Sequence, residues 1–208
     1  MGVVAVGGHA RKVGKTSVAE GLIAALPQCR WTALKVSSHW HPLDGDGRDA
    51  PAAGFSIAEE AVRAGGGPAG GDSARFLAAG ARRAFWVRVR EGCMAAALPQ
   101  IETLVAQAPF ALVEGNEVSE LVPADFRILV LNYGVAEFKE SARRLVPQAD
   151  ALVAVSPAPS ASDATPPPPP PWREFVREAA KAAPLFETAD PKAVPAALLD
   201  LLRSRLSL

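Results

Sequence analysis

Short apolar runs rich in Val, Leu and Ile recur along this chain, separated by longer stretches whose apolar residues fall at helical spacing. The runs at residues 3–6, 32–36, 84–89, 110–114, 126–131 and 151–155 predict strands, and a fainter one at 185–187 predicts a last strand. Several are apolar throughout rather than alternating, as strands buried on both faces are. Helices are predicted over residues 15–26, 73–79, 94–107 with a bend at Pro99, 137–145, 172–182 and 191–205. In the last of these Val194, Leu198, Leu201 and Leu202 share one face, the pattern of a helix docked on a sheet. Strands alternating with helices predict an α/β fold of three layers, a mostly parallel sheet of about seven strands with helices on both faces.

Two segments interrupt the rhythm. Residues 44–71 turn to Gly, Ala and Pro, including Gly65-Gly66-Gly67 and Gly70-Gly71. They read as a mobile surface insertion in which residues 57–64 can form one short helix. Residues 156–171 end in six consecutive prolines, which favour extended polyproline II. Because a helix, a strand and a helix follow, this loop is expected to lie inside a single domain spanning residues 1–208.

Composition narrows the functional classes. With 22 Lys plus Arg against 22 Asp plus Glu, no net field draws the chain to nucleic acid or an anionic membrane. No apolar run approaches the ~20 residues of a spanning helix, and residues 1–15 lack the pattern of a signal peptide. A cytoplasmic protein is expected. Cys29 and Cys93 stand far apart without CxxC spacing, so they read as free buried thiols.

The chemistry begins after the first strand. Gly7-Gly8-His9-Ala10-Arg11-Lys12-Val13-Gly14-Lys15-Thr16-Ser17 places a Gly-bearing loop between a strand and a helix start, the context a phosphate-binding loop needs. Such a loop turns backbone N–H groups toward phosphates, supplies a Lys for the β and γ oxygens and a hydroxyl for Mg²⁺. Gly8, Gly14, Lys15 and Thr16 supply these. Common spacing leaves four residues between the glycines, whereas Gly8 leaves five and position 9 is His. The longer form is similar to the loop of dethiobiotin synthetase and its relatives. His9, Arg11 and Lys12 read either as solvent- or partner-facing residues or as cations for charge developing on a transferred phosphate.

A phosphate loop also needs a carboxylate at a neighbouring strand end to order Mg²⁺. Glu114, closing Phe110-Ala111-Leu112-Val113-Glu114-Gly115, has that form, with a strand-end ion pair as the alternative. Asp44 and Asp46 are further metal-side carboxylates or ordinary turn residues. His39 and His41 flank Trp40 and would point the same way in an extended chain, as substrate contacts, packing residues or a pair of metal ligands. The candidate catalytic residues are thus Lys15, Glu114 and Lys12, and the candidate metal-side residues Thr16, Glu114 and Asp44.

Together the loop, Lys35 with His39 four residues later, Asp72-Ser73 opening a helix toward Gly80-Ala81, and Glu114-Gly115 resemble the molybdopterin-guanine dinucleotide biosynthesis adapters. These MobB-type GTP-binding proteins belong to the SIMIBI class of P-loop NTPases. The likeness covers residues 1–115. It implies a P-loop fold, GTP or ATP with Mg²⁺ as ligands, a protein partner or homodimer, and an adapter with slow hydrolysis. Two other roles stay open: a small-molecule ligase or kinase of the dethiobiotin synthetase type, and a metal-delivery GTPase using His39 and His41.

Overall fold

The computed structural model describes residues 1–38, 53–61, 71–156, 170–180 and 183–208. Its centre is an eight-stranded sheet, built from β1 (Gly2–Gly8), β2 (Thr32–Ser37), β3 (Phe55–Glu59), β4 (Arg83–Val89), β5 (Phe110–Glu114), β6 (Phe126–Asn132), β7 (Ala151–Val155) and β8 (Leu185–Thr188). The strand order is β3-β4-β2-β5-β1-β6-β7-β8, and every pair is parallel except β3 with β4. Helices α1 (Lys15–Ala25), α2 (Asp72–Ala78), α3 (Met94–Ala106), α4 (Asn116–Leu121), α5 (Glu140–Leu145), α6 (Arg173–Ala179) and α7 (Ala196–Leu206) cover it.

Alternate side chains of each central strand enter different cores, which is why the strands read as continuous apolar runs. Val4, Val6, Leu112, Ile128 and Val130 pack with Leu22 and Ile23 of α1, Phe76 of α2, and Leu198 and Leu202 of α7. On the opposite face Leu34, Ala111 and Val113 pack with Ile101 of α3 and Val118 of α4. Further along that face Leu129 and Leu131 pack with Leu145, Trp172 and Val176. Each fully buried Leu or Ile contributes roughly 1.5–3 kcal/mol relative to exposure. The result is a three-layer α/β arrangement, with β1 near the centre of the sheet and its following loop leading into α1.

Three expectations change. Residues 57–64 have the composition for one short helix, but Phe55–Glu59 form β3, antiparallel on β4 with Ile57 opposite Val87. Phe55 and Ile57, two residues apart, both reach the α3-side core, so pairing on an open sheet edge overrides the helical leaning of the Ala-rich stretch. The remaining parts of the expected insertion at 44–71 and of the proline loop at 156–171 lie largely outside the described residues. Helix α5 begins at Glu140 instead of residue 137, because Lys139 is extended (φ −69°, ψ 146°). Helix α4 had no counterpart in the sequence pattern. Its C-terminal end is held by the Arg127 guanidinium, which donates to the carbonyls of Ser119, Val122 and Ala124.

Both cysteines are free, Cys29 buried and Cys93 only half-buried, and burial pushes the Cys29 thiol up to about 11. Among the described residues, no helix is long and apolar enough to cross a membrane.

Candidate functional site

Strand β1 delivers Gly8 to the carboxyl edge of the sheet, where residues 9–14 loop over before α1 starts at Lys15. The φ angle is positive at Lys12 (57°) and Gly14 (102°) but not at the intervening Val13. Alternation of this kind turns neighbouring N–H groups to one side and forms an anion-binding nest. At Lys12 the left-handed conformation costs about 1–2 kcal/mol, a cost found at ligand-binding loops that the surrounding structure holds in place. No side chain caps the start of α1, so its first N–H groups stay open toward the loop. Lys15 Nζ folds back to donate to the Ala10 carbonyl at 3.1 Å. A Cβ on Gly8 would lie 2.7 Å from Lys15 Cγ, so the close return of the loop requires Gly there.

His9 explains the longer loop. Its side chain is fully buried, contrary to the expectation that it faces solvent or a partner. Its Nδ1–H donates to the Glu137 carbonyl at 2.8 Å, and Nε2 accepts the Asn132 N–H at 3.0 Å, the pattern of a neutral ring. Trp172 and Phe138 pack against the imidazole, with ring centroids 4.6 and 5.3 Å away. Burial holds its pKa below the ordinary 6.5, and the charge of Lys15 adds to this, while the bond to the Glu137 carbonyl opposes it. Where a shorter loop carries its first Gly, this chain inserts an anchor that fastens the loop to the segment before α5.

A second anchor is Asn116, which sequence reasoning did not single out as a site residue. Its Oδ1 accepts the Gly8 N–H and its Nδ2 donates to the Gly8 carbonyl, both at 2.9 Å, and Nδ2 also reaches Ser141 Oγ at 3.2 Å. Gly115 makes this possible. It adopts φ 150°, and a Cβ there would sit 2.6 Å from the Val36 carbonyl oxygen. The only sequence signal was an amide side chain directly after Glu114-Gly115.

Glu114 and Thr16 come together across 98 residues. Thr16 Oγ1 donates to Glu114 Oε2 at 3.0 Å. Lys35 lies directly opposite Glu114 in the parallel register of β2 and β5, and its ammonium donates to Glu114 Oε1 at 2.5 Å and to Thr16 Oγ1 at 3.1 Å. Glu114 is wholly buried, with 16% of the Lys35 side chain exposed. The ion-pair alternative for Glu114 is met, by a buried pair instead of a surface one. A hydroxyl and a carboxylate fit Mg²⁺, and the Lys35 ammonium bonds to both. Among the described residues no three His, Cys, Asp or Glu side chains converge as a metal cage. Mg²⁺ at nucleotide sites is held by few protein ligands plus phosphates and water, so this sparse set suits it.

Two cavities flank Lys12, Lys15, Lys35 and Glu114, which line both. The smaller, about 290 Å³, runs along the start of α1 and ends at Arg75. Arg75 binds Glu20 through two hydrogen bonds of 2.8 and 2.7 Å and reaches Ser17 at 3.2 Å. The larger, about 610 Å³, opens toward α4 and α5. Arg11 and Lys12 are exposed at its rim. Asp44, Asp46, His39 and His41 lie outside the described residues.

No family model and no curated protein matches this chain. Among solved structures, one it is similar to is the "apo" form of LpxK from Aquifex aeolicus in complex with ATP, at 18% identity and a TM-score of 0.44. The match covers 96% of this chain but only 60% of that one, and it is a likeness of general shape.

Proposed function

We propose that this chain binds a nucleoside triphosphate with Mg²⁺ and, on its own, hydrolyses it slowly. One observation carries the reading. A left-handed turn at Lys12 and Gly14, the uncapped start of α1, Lys15, and the Thr16–Glu114 pair all meet at one end of the sheet. Residues Gly8 to Ser17 would surround the β and γ phosphates, with Lys15 facing them and Thr16 and Glu114 holding Mg²⁺. Bound there, Mg²⁺ would neutralise charge on the phosphates. Arg11 and Lys12 are the candidate cations at the γ end. Slow turnover is supported by the cavity walls, which among the described residues carry no Gln or Asp to orient a water.

The sequence reading adds an adapter role with either GTP or ATP as the nucleotide, a protein partner or homodimer, and residence in the cytoplasm. A second reading, an enzyme acting on a small molecule, draws support from the 610 Å³ cavity beside the phosphate site, a volume within the usual range for small ligands.

The test is calorimetric titration of ATP and GTP, each with Mg²⁺, into wild type and Lys15→Ala. Losing a charge-assisted hydrogen-bond donor is expected to cost about 1.5–3 kcal/mol of binding. Equal affinity in a folded Lys15→Ala would overturn the assignment. Steady-state turnover of tens per second, independent of protein concentration, would overturn slow hydrolysis.

A further inference from the structure

The larger cavity is not needed for a triphosphate tail. Resting on the nucleotide reading above, the phosphates would lie in the loop and the cavity along α1, while the 610 Å³ space extends the other way, across Asn116 to α5. Its far wall carries Lys139, Ser141 and Arg144. Arg11 and Lys12 stand at the near rim, and among the described residues Glu117 is the wall's one carboxylate besides the paired Glu114.

These cations differ in their engagement. Arg144 is paired with Glu120 at 2.9 Å in an exposed bridge, where ion pairs are weak and exchange readily. Lys139 is half-buried, and among the described residues its ammonium has no ion pair. Ser141 Oγ accepts from Asn116, and among the described residues its own O–H has no acceptor, so it can donate to a ligand in the cavity that Ser141 lines. The wall is also fixed to the phosphate loop: the Lys139 N–H donates to the His9 carbonyl at 2.8 Å, and Asn116 bridges Ser141 to Gly8. A concave space with an excess of cations and a free hydroxyl draws an oxyanion, and charge-assisted bonds to it are strong.

We propose that the cavity between the phosphate loop and α5 binds the phosphate or carboxylate group of a small second ligand, through Lys139, Ser141 and Arg144, while the triphosphate occupies the loop. The ligand's remaining part then faces Lys35 and the γ end of the triphosphate, the position of a co-substrate or of an anion that gates turnover.

The experiment uses the full chain saturated with Mg²⁺ and a non-hydrolysable triphosphate, titrated calorimetrically with inorganic phosphate and separately with succinate. Saturable binding of at least one anion is expected, and its identity separates a phosphate-bearing ligand from a carboxylate. Lys139→Ala and Arg144→Ala are each expected to weaken that binding about tenfold or more and to change triphosphate affinity less than threefold. Lys139→Arg, which keeps the charge, is expected to retain it. The proposal is overturned if neither anion binds, if both alanine variants bind as wild type does, or if the anion competes with the triphosphate. Failure to load any triphosphate would sink the nucleotide reading instead. The empty chain titrated with the same anions then decides the cavity, with loss in Lys139→Ala supporting it and no binding overturning it.

Discussion

Replacing Lys35 by Met keeps most of the side chain's methylene packing and removes an ammonium 2.5 Å from Glu114 Oε1. Glu114 is fully buried, so among the described residues its carboxylate would keep only the Thr16 hydroxyl as a partner. Breaking a buried ion pair by removing one member costs about 3–5 kcal/mol, because the other charge stays buried without compensation. For a chain of 208 residues, that corresponds to a fall of roughly 6–20 °C in melting temperature, at about 2–4 °C per kcal/mol. The same ammonium bonds to both groups assigned to Mg²⁺. A bound Mg²⁺ should therefore take over its electrostatic task, and the deficit should shrink when Mg²⁺ and triphosphate are present. The assay is thermal melting of wild type and Lys35→Met, each empty, with Mg²⁺ alone, and with Mg²⁺ plus a non-hydrolysable triphosphate. A deficit of the same size under all three conditions would show that Glu114 never meets the metal. No deficit in the empty protein would show that the ion pair does not hold this edge of the sheet.

Further outcomes follow from the two loop anchors and the buried thiol. Asn116→Ala removes two hydrogen bonds to Gly8 and is expected to weaken triphosphate binding by about 1–3 kcal/mol in calorimetry; unchanged affinity would mean that the loop holds its shape unaided. His9 is held neutral with a lowered pKa, so below pH 6.5 the unfolded chain binds the proton more readily than the folded one. Its contribution to stability is complete above that pH and declines as pH falls, by up to about 1.4 kcal/mol per pH unit. Urea melts at pH 7.5 and 5.5 should show a smaller pH difference in His9→Gln, and an equal difference would place the titration elsewhere. A thiol reagent at pH 8 is expected to modify half-buried Cys93 well before Cys29, whose thiol is buried and pushed up to about 11; equal rates would contradict that burial.

Local patterns in the chain were enough for the strand, loop and helix succession. A buried parallel strand must be apolar on both faces, and a docked helix must repeat its apolar residues every three or four positions. β8, a short and partly exposed edge strand with only Leu185 and Phe186 as apolar residues, left a fainter trace. The loop from Gly8 to Thr16 was legible because its glycines and its Lys and Thr are neighbours in sequence. The pairing of residues far apart was not legible. β3 depends on the open edge of β4, which no local propensity records, and the Ala-rich residues after Ile57 pointed the other way. The sequence showed a His in the phosphate loop but not that Trp172 and Phe138 would enclose it. Asn116 acts on Gly8 across 108 residues, and Lys139 joins the cavity only because β6 runs beside β1 and returns α5 over the loop. Likewise Lys35 and Glu114 became one buried pair through the register of two parallel strands. Side-chain chemistry is written in the order of residues, whereas its geometry is set by which strands lie side by side, and that was decided only when the whole sheet formed.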